Sequence, residues 1–174
     1  MGEGIVLSAV SIELSRHDWG SLVAGQGTAA EVPAAVAGLV AATTAEEADR
    51  HTGCLVNGVV VQSNLFEAAV PLVSVLCAAL TDDLSAAARR DVLLLISEIV
   101  NGDTHHSEIE AGRPDLEVRA QEVARAGLWL FYRELLHGNP ADTEEVMDIL
   151  NVVDTDRARF EQFRDQVKAR LRAS

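Results

Sequence analysis

The sequence predicts an all-α fold, and three observations support this prediction. Apolar residues recur at the three- and four-residue spacing of helices along most of the chain, and the alternation typical of strands is nearly absent. Helix-start and helix-stop residues separate the apolar runs. The composition is 48% hydrophobic but only 4% aromatic, and small side chains let helices pack closely. We expect one domain over residues 1–174 with about seven helices, arranged as a bundle or as a stack of antiparallel pairs.

The first 27 residues are expected to be irregular and to carry no targeting signal. Apolar stretches at 5–7 and 12–14 fit a strand and a helix equally well, and three glycines then indicate a loop. No basic region precedes an apolar run, as a secretion signal requires. The apolar run 56–61 is too short to span a bilayer. We therefore expect a cytoplasmic protein that contacts no membrane.

Capping signals predict where the first two helices begin. The segments Thr28–Glu31 and Thr44–Glu47 both have the capping-box pattern, with a threonine followed three residues later by glutamate. Cys54 falls within the second of these helices, and Cys77 falls in a later apolar pattern. Two buried, reduced thiols are expected rather than a disulfide.

The middle of the chain predicts two strongly apolar helices. Asn64 is placed to cap a helix over residues 65–80, which Pro71 should kink or interrupt. The next helix is predicted over residues 84–100. Its segment 92–96 is apolar nearly all round, so this helix should be central in the fold.

The last third predicts a long polar loop followed by three helices. Residues 103–115 lack apolar periodicity, and a loop of this length is often functional. A single long helix is predicted over 116–137 and ends before Gly138. Two further helices are predicted over 142–153 and 156–172.

Charge is distributed unevenly along the chain. The net charge is −13, but residues 157–174 contain six Lys or Arg and only two acids. The remaining body is strongly acidic and should repel phosphate backbones, which argues against a nucleic acid partner. A protein partner with a basic surface fits better, and a small-molecule ligand is also compatible.

Two segments carry a family resemblance. Residues 18–22, 27–30 and 32–33 have an Asp-Trp-x-x-Leu entry, a small-residue turn and a Val-Pro helix start. Residues 61–68 align with a second family pattern, His-Gln-Gly-Thr-Val-Tyr-Glu-Ala, which is followed by a proline and an apolar helix. The chain matches this pattern at Gln62, Glu67, Ala68 and Pro71 and departs from it at Val61, Ser63, Asn64 and Phe66. The segment 18–101 thus resembles small actinobacterial HEAT-repeat-like proteins.

The resemblance implies a short α-solenoid of antiparallel HEAT-like helix pairs. Strands should then be at most marginal, and a sheet of three or more strands would contradict this arrangement. Related helical-repeat proteins act as binding scaffolds, as toxin-neutralising partners or, in a separate branch, as alkylated-base glycosylases. The polar motif residues Gln62 and Glu67 are accordingly candidates for binding a partner, although the fold does not choose among these functions.

The polar loop contains the best candidates for chemistry. Asp103, His105 and His106 combine carboxylate and imidazole groups, which are ligands for transition metals. Adjacent histidines point apart, however, and no His-Glu-x-x-His spacing exists. We therefore expect no metal and no other cofactor. His105 and His106 remain catalytic candidates if Glu98 lies close to them.

Acids and aromatic residues within apolar helical patterns are the other candidates. Glu98, Glu67 and Glu134 could each have a raised pKa and transfer protons, or could instead bridge neighbouring helices, as buried acids usually do. Trp129 and Tyr132 share a helix face and could stack on a ligand or pack in the core.

Three functions follow from these observations. The first is a non-catalytic helical-repeat binding module for a protein partner, for which toxin neutralisation is one form. The second is a small enzyme of a biosynthetic pathway with a pocket near Glu98, His105 and Trp129. The third, a DNA glycosylase relative, is disfavoured by the acidic charge.

Overall fold

The computed structural model describes residues 8–173, which are mostly helical. This confirms the predicted helical class, but the described part has ten helices rather than about seven. The helices are α1 (Ala9–Ser15), α2 (Val32–Ala41), α3 (Ala45–Val59), α4 (Ala69–Ala79), α5 (Ala86–Val100), α6 (His106–Glu110), α7 (Leu116–Ala126), α8 (Leu128–His137), α9 (Thr143–Val153) and α10 (Arg157–Ala173). Within these residues no helix is long and apolar enough to cross a membrane.

Helix α5 lies at the centre of one contiguous apolar core, as its sequence predicts. It packs against α2, α3, α4, α7 and α9. The side chains of Val92, Leu95, Ile96 and Ile99 are fully buried. A helix with neighbours on nearly every side needs apolar residues all round, which is the pattern of residues 92–96.

A small sheet joins three segments of the chain. Its strands are β1 (Val60–Val61), β2 (Asn64–Leu65) and β3 (Asp103–Thr104); β1 pairs antiparallel with β2, and β2 pairs parallel with β3. A three-stranded sheet is the outcome that contradicts a stack made of helix pairs alone, so that prediction is wrong as stated, although each strand has only two residues. Asn64 lies in β2 and caps no helix.

Several predicted boundaries need correction. The Thr44–Glu47 capping box is present, and its side chain–backbone hydrogen bonds are formed in both directions. Thr28 instead pairs with Val23 in an isolated bridge, and α2 begins later, after Glu31, which makes no side-chain cap. The helix that is predicted over residues 65–80 corresponds to α4 and begins only at Ala69. Pro71 therefore lies in the first turn of α4, where a missing N–H causes no kink.

Two segments that the sequence predicts to be uniform are divided in the structure. Residues 103–115 contain β3 and α6, so they are only partly a loop, and the predicted helix 116–137 is divided at Gly127 into α7 and α8. In the segment 1–27, residues 12–14 belong to α1, whereas residues 5–7 lie outside the described part of the chain. Cys77 is buried as predicted, but Cys54 is exposed.

The β1–β2 turn places two non-glycine residues in the left-handed region. Gln62 has a φ of 51° and Ser63 a φ of 63°. Two-residue hairpin turns of this kind favour glycine, since a Cβ in this region costs about 1–2 kcal/mol.

Replacing Ser63 with glycine should therefore stabilise the protein. Relief of the strain exceeds the added entropy of glycine in the unfolded chain, so we expect a gain of about 0.5–1 kcal/mol in the free energy of unfolding. Urea unfolding measures this gain. The control is Ser63→Ala, which keeps the Cβ and should give no stabilisation; equal stabilisation by both variants would contradict the explanation.

Candidate functional site

Three segments that are distant from one another in the sequence line a cavity beside the β1–β2 hairpin. They are the loop 23–26, the β1–β2 hairpin with the adjoining end of α3, and the chain from β3 into α6. Backbone bonds hold them together: Gly25 N–H donates to Gly58 O at 2.7 Å, Asp103 N–H to Ser63 O at 2.9 Å, and His105 N–H to Leu65 O at 3.1 Å. The cavity has a volume of about 530 Å³.

The lining of this cavity is polar but contains no ionised side chain. Among the described residues, no Asp, Glu, Lys or Arg lines it, although the whole chain is 24% charged with a net charge of −13. The polar lining consists of four carboxamides, one imidazole and one hydroxyl: Gln26, Asn57, Gln62, Asn64, His105 and Ser107. Val23, Val61 and Phe66 supply apolar walls.

The carboxamides differ in how much of their hydrogen-bonding capacity is used. Asn64 Nδ2 donates to Val61 O at 3.3 Å and to Gln62 O at 3.0 Å, which supports the turn and leaves Asn64 Oδ1 free. The side chains of Gln26, Asn57 and Gln62 have no hydrogen-bond partner among residues 8–173. These groups can both donate and accept hydrogen bonds towards a ligand.

The orientation of His105 is fixed by three neighbours. Its Nδ1 accepts a hydrogen bond from Ser107 N–H at 3.3 Å and lies 2.7 Å from Ser107 Oγ. Its ring packs against Phe66 and His106, with centroid distances of 4.8 and 4.1 Å. Because Nδ1 accepts the backbone N–H, the neutral ring carries its proton on Nε2, which is then a donor.

A second, more apolar cavity of about 390 Å³ adjoins the first. The two share Ala24, Gln26 and Asn57, and the second extends along α2 and α3 to Ala35, Cys54 and Leu55, with Glu31 also among its lining residues. We call the pair the hairpin cleft, with an amide cavity and an apolar cavity. Cys54 is thus an exposed thiol at the wall of the apolar cavity, not the small buried hydrophobe that its sequence context suggests.

Of the residues singled out from the sequence, Gln62 and His105 line the amide cavity. The expectation that the adjacent histidines point apart is wrong, because the exposed His106 ring packs against the His105 ring with a tilt of 46°. The nearby Asp103 is exposed and joins β3 to the hairpin through its backbone. Glu67 acts indirectly, because its carboxylate accepts a hydrogen bond from Val23 N–H at 3.0 Å and so holds the loop 23–26.

Glu98, Trp129 and Tyr132 lie outside the hairpin cleft. Burial raises the pKa of the Glu98 carboxyl above its ordinary value, and the nearby Glu145 carboxylate raises it further. Trp129 is 64% exposed, whereas Tyr132 is buried beside it, with ring centroids 5.5 Å apart. The cavity lined by His105 therefore includes neither Glu98 nor Trp129.

The acids inside apolar helical patterns mostly have structural partners. Glu134 is buried and forms an ion pair with Arg89 at 2.8 Å, which joins α8 to α5.

Within residues 8–173, no group of three or more His, Cys, Asp or Glu side chains is placed to hold a metal ion.

The site residues that the sequence does not single out are Gln26, Asn57, Asn64 and Ser107. They come from segments separated by up to 81 positions, and uncharged amides have no spacing pattern that would indicate a shared site. Comparison with protein-family models, with curated proteins and with solved structures finds no match for this chain. The chemistry of the cleft is therefore the basis for a functional proposal.

Proposed function

We propose that this protein is a non-catalytic binding protein whose hairpin cleft holds a small, uncharged, polar molecule. The observation that carries the proposal is the concentration of free carboxamides around a cavity without ionised side chains, in a strongly acidic chain. Moving a charged group into a site without a counter-charge costs several kcal/mol of hydration free energy. An uncharged molecule with both donors and acceptors loses much less and gains bonds to Gln26, Asn57 and Gln62.

The cleft geometry supports binding more than catalysis. Ser107 and His105 are within hydrogen-bond distance, as in a nucleophile–base pair, but His105 is the N-cap of α6 and its Nδ1 already accepts the Ser107 N–H. No carboxylate lines the cavity to orient the free Nε2. This arrangement is therefore best explained as local capping.

A ligand screen tests the proposal. Saturation-transfer NMR with uncharged polar compounds and charged counterparts of equal size should detect binding of uncharged members only. For a compound that binds, Asn57→Ala should weaken affinity about tenfold, since a lost hydrogen bond is worth about 1 kcal/mol or slightly more. Asn57 is exposed on α3, where alanine is compatible with folding.

The matched control is Gln166→Ala, which removes an exposed carboxamide on α10. It should leave affinity unchanged. Preferential binding of charged compounds, or equal effects of both variants, would contradict the proposal.

A protein partner is the second candidate function, and the exposed indole of Trp129 is the observation that favours it. Large aromatic side chains are enriched at the centres of protein interfaces. A partner retained by the wild-type protein and lost with Trp129→Ala, but unaffected by Asn57→Ala, would support this candidate and place its surface away from the hairpin cleft.

The finer architecture is also a proposal. Because the three-stranded sheet contradicts an arrangement of helix pairs alone, the proposal is a short α-solenoid of antiparallel HEAT-like pairs that is interrupted by this small sheet. Packing of the sequence neighbours α2 on α3 and α8 on α9 supports it. The motif residues Gln62, Glu67, Ala68 and Pro71 support the same assignment. The contact of α4 with α7 joins helices distant in sequence, as stacking of one pair on another requires.

A further inference from the structure

We infer that the ligand of the hairpin cleft is an uncharged glycoside, with its sugar ring in the amide cavity and an apolar substituent in the apolar cavity. This inference rests on the proposed binding function and names the class of ligand. It depends on the three segments that supply the free carboxamides, on the covered aromatic rings, and on the lining residues that the two cavities share.

The free carboxamides of the amide cavity come from three different segments of the chain. Gln26 comes from the loop, Asn57 from α3 and Gln62 from the hairpin, and His105 Nε2 lies on a fourth segment. Each carboxamide offers two donors and an acceptor, and each sugar hydroxyl can both donate and accept. Hydroxyl groups around the whole perimeter of a sugar ring match such a lining.

The aromatic rings of the cleft argue against a planar heterocycle. Phe66 is only 7% exposed, and His105 packs against both Phe66 and His106. A nucleobase obtains much of its binding free energy from stacking on an open aromatic face. These rings are already engaged with one another, whereas a saturated ring with polar substituents does not need that contact.

The apolar cavity specifies the rest of the ligand. Its walls include Ala29, Val32, Ala35 and Leu55, and it shares the lining residues Ala24, Gln26 and Asn57 with the amide cavity. Beyond the shared carboxamides, its polar lining is limited mainly to Thr28 and Glu31. A hydroxylated group would therefore find fewer hydrogen-bond partners there than in the amide cavity. An alkyl or aryl group attached to the sugar would instead bury apolar surface.

Cys54 provides a readout of this second cavity. It is an exposed thiol at the cavity wall, whereas burial raises the pKa of the Cys77 thiol to about 12. Only thiolates react rapidly with aromatic disulfide reagents such as DTNB. Modification of the folded protein should therefore report Cys54 selectively, and an occupied apolar cavity should slow it. Cys54→Ser removes the signal and confirms its source.

The experiment compares hexyl glycosides of glucose, galactose, mannose and N-acetylglucosamine with the free sugars, with hexyl glucuronide and with adenosine and uridine. Calorimetry gives affinities, and DTNB kinetics give protection of Cys54. At least one hexyl glycoside should bind ten or more times more tightly than its free sugar and slow Cys54 modification at least fivefold. The charged glucuronide should bind neither cavity.

Each other result has a distinct meaning. Binding of nucleosides without binding of any glycoside would overturn the glycoside inference and leave the proposed function intact. A glycoside that binds without protecting Cys54 would overturn the placement of its apolar group. Binding of hexyl glucuronide alone would overturn the proposed function itself, and so would the absence of binding by every uncharged compound in this set and in the broader screen.

Discussion

Replacing Asp154 with alanine is expected to lower the free energy of unfolding by about 3 kcal/mol. This value is the lower limit of the range of about 3–5 kcal/mol that is typical when one partner of a buried ion pair is removed. The Asp154 carboxylate is 1% exposed. It accepts hydrogen bonds from the Tyr132 hydroxyl at 2.6 Å and from Arg159 Nε and Nη2 at 2.8 and 2.5 Å. It also accepts from Asp156 N–H at 2.8 Å, at the start of α10.

The partners of Asp154 determine the size of this effect. Without the carboxylate, the buried Tyr132 hydroxyl loses its acceptor, and Arg159 loses its counter-charge. The side chain of Arg159 is 30% exposed, so the guanidinium can regain part of its hydration. For this reason the loss should not reach the upper limit of the range. Denaturant unfolding at neutral pH measures it.

The same site should make stability depend on pH. The hydrogen bonds from Arg159, and to a smaller extent that from Tyr132, lower the pKa of Asp154 from 3.8 to about 2. A carboxyl with a lowered pKa stabilises the folded state above about pH 4, and this stabilisation is lost as the pH falls towards 2. The shift corresponds to about 2 kcal/mol. The difference between wild type and Asp154→Ala should therefore be smaller at pH 2 than at pH 7.

Asp165→Ala is the matched control for this substitution. Asp165 lies in α10 and pairs with Arg164, but its side chain is 68% exposed. Exposed ion pairs contribute little, so a change of less than about 0.5 kcal/mol is expected. Equal losses for Asp154→Ala and Asp165→Ala, or a pH-independent difference for Asp154→Ala, would contradict the assigned role.

The helices that the sequence predicts well are those whose signals are local. The capping box at Thr44–Glu47 and the all-round apolar pattern of 92–96 depend on neighbours within a few residues, and both correspond to the structure. The apolar stripe of residues 65–80 is misleading because Leu65, although buried, lies in the strand β2 and not in a helix. Burial alone does not distinguish these two origins in a short apolar run.

The sequence does not predict the β1–β2 hairpin because its turn lacks the glycine or asparagine residues that usually indicate a hairpin. Gln62 and Ser63 occupy positions where Asn-Gly or Gly-Gly would be recognised, and tertiary contacts hold them there. The break at Gly127 was not predicted for a different reason. A single glycine inside a periodic apolar pattern is compatible with a continuous helix. The residues after Gly127 continue the apolar periodicity into α8, although the helix is interrupted at Gly127.

The candidate site was predictable only in part for a related reason. A sequence motif indicates Gln62, and the metal-binding and acid–base chemistry of imidazole indicates His105. Asn57 and Gln26 are ordinary exposed amides until the fold brings them to one cavity. The role of Glu67 also depends on the fold. Its carboxylate holds the loop 23–26 because the fold brings the N–H of Val23 within 3.0 Å of it, and the two residues are distant in the sequence.

Replacing Gly102 with alanine should destabilise the protein by about 2 kcal/mol and also weaken binding in the hairpin cleft. A Cβ at this position would lie 2.7 Å from Leu65 Cδ2, 2.9 Å from Ser63 O and 3.1 Å from Glu98 O. Two of these three atoms are backbone oxygens, which cannot move by side-chain rotation. The added methyl group must therefore push β2 away from the end of α5.

The effect on binding follows from the position of Gly102 immediately before β3. Asp103 and His105 pair with Ser63 and Leu65 through their backbone N–H groups, so this contact sets the distance from His105 to Gln62 across the amide cavity. A shift of the hairpin changes that distance, and hydrogen bonds weaken steeply outside their normal geometry. Affinity for an uncharged ligand should fall at least tenfold, which calorimetry measures.

Gly53→Ala is the matched control, because a Cβ at Gly53 meets no atom within 4 Å. Gly53 lies inside α3, where alanine is favoured over glycine by about 1 kcal/mol. The same chemical change should therefore stabilise the protein at position 53 and destabilise it at position 102. Unfolding measurements that give the same sign for both variants would show that the close approach of β2 to Gly102 does not hold the hairpin in place.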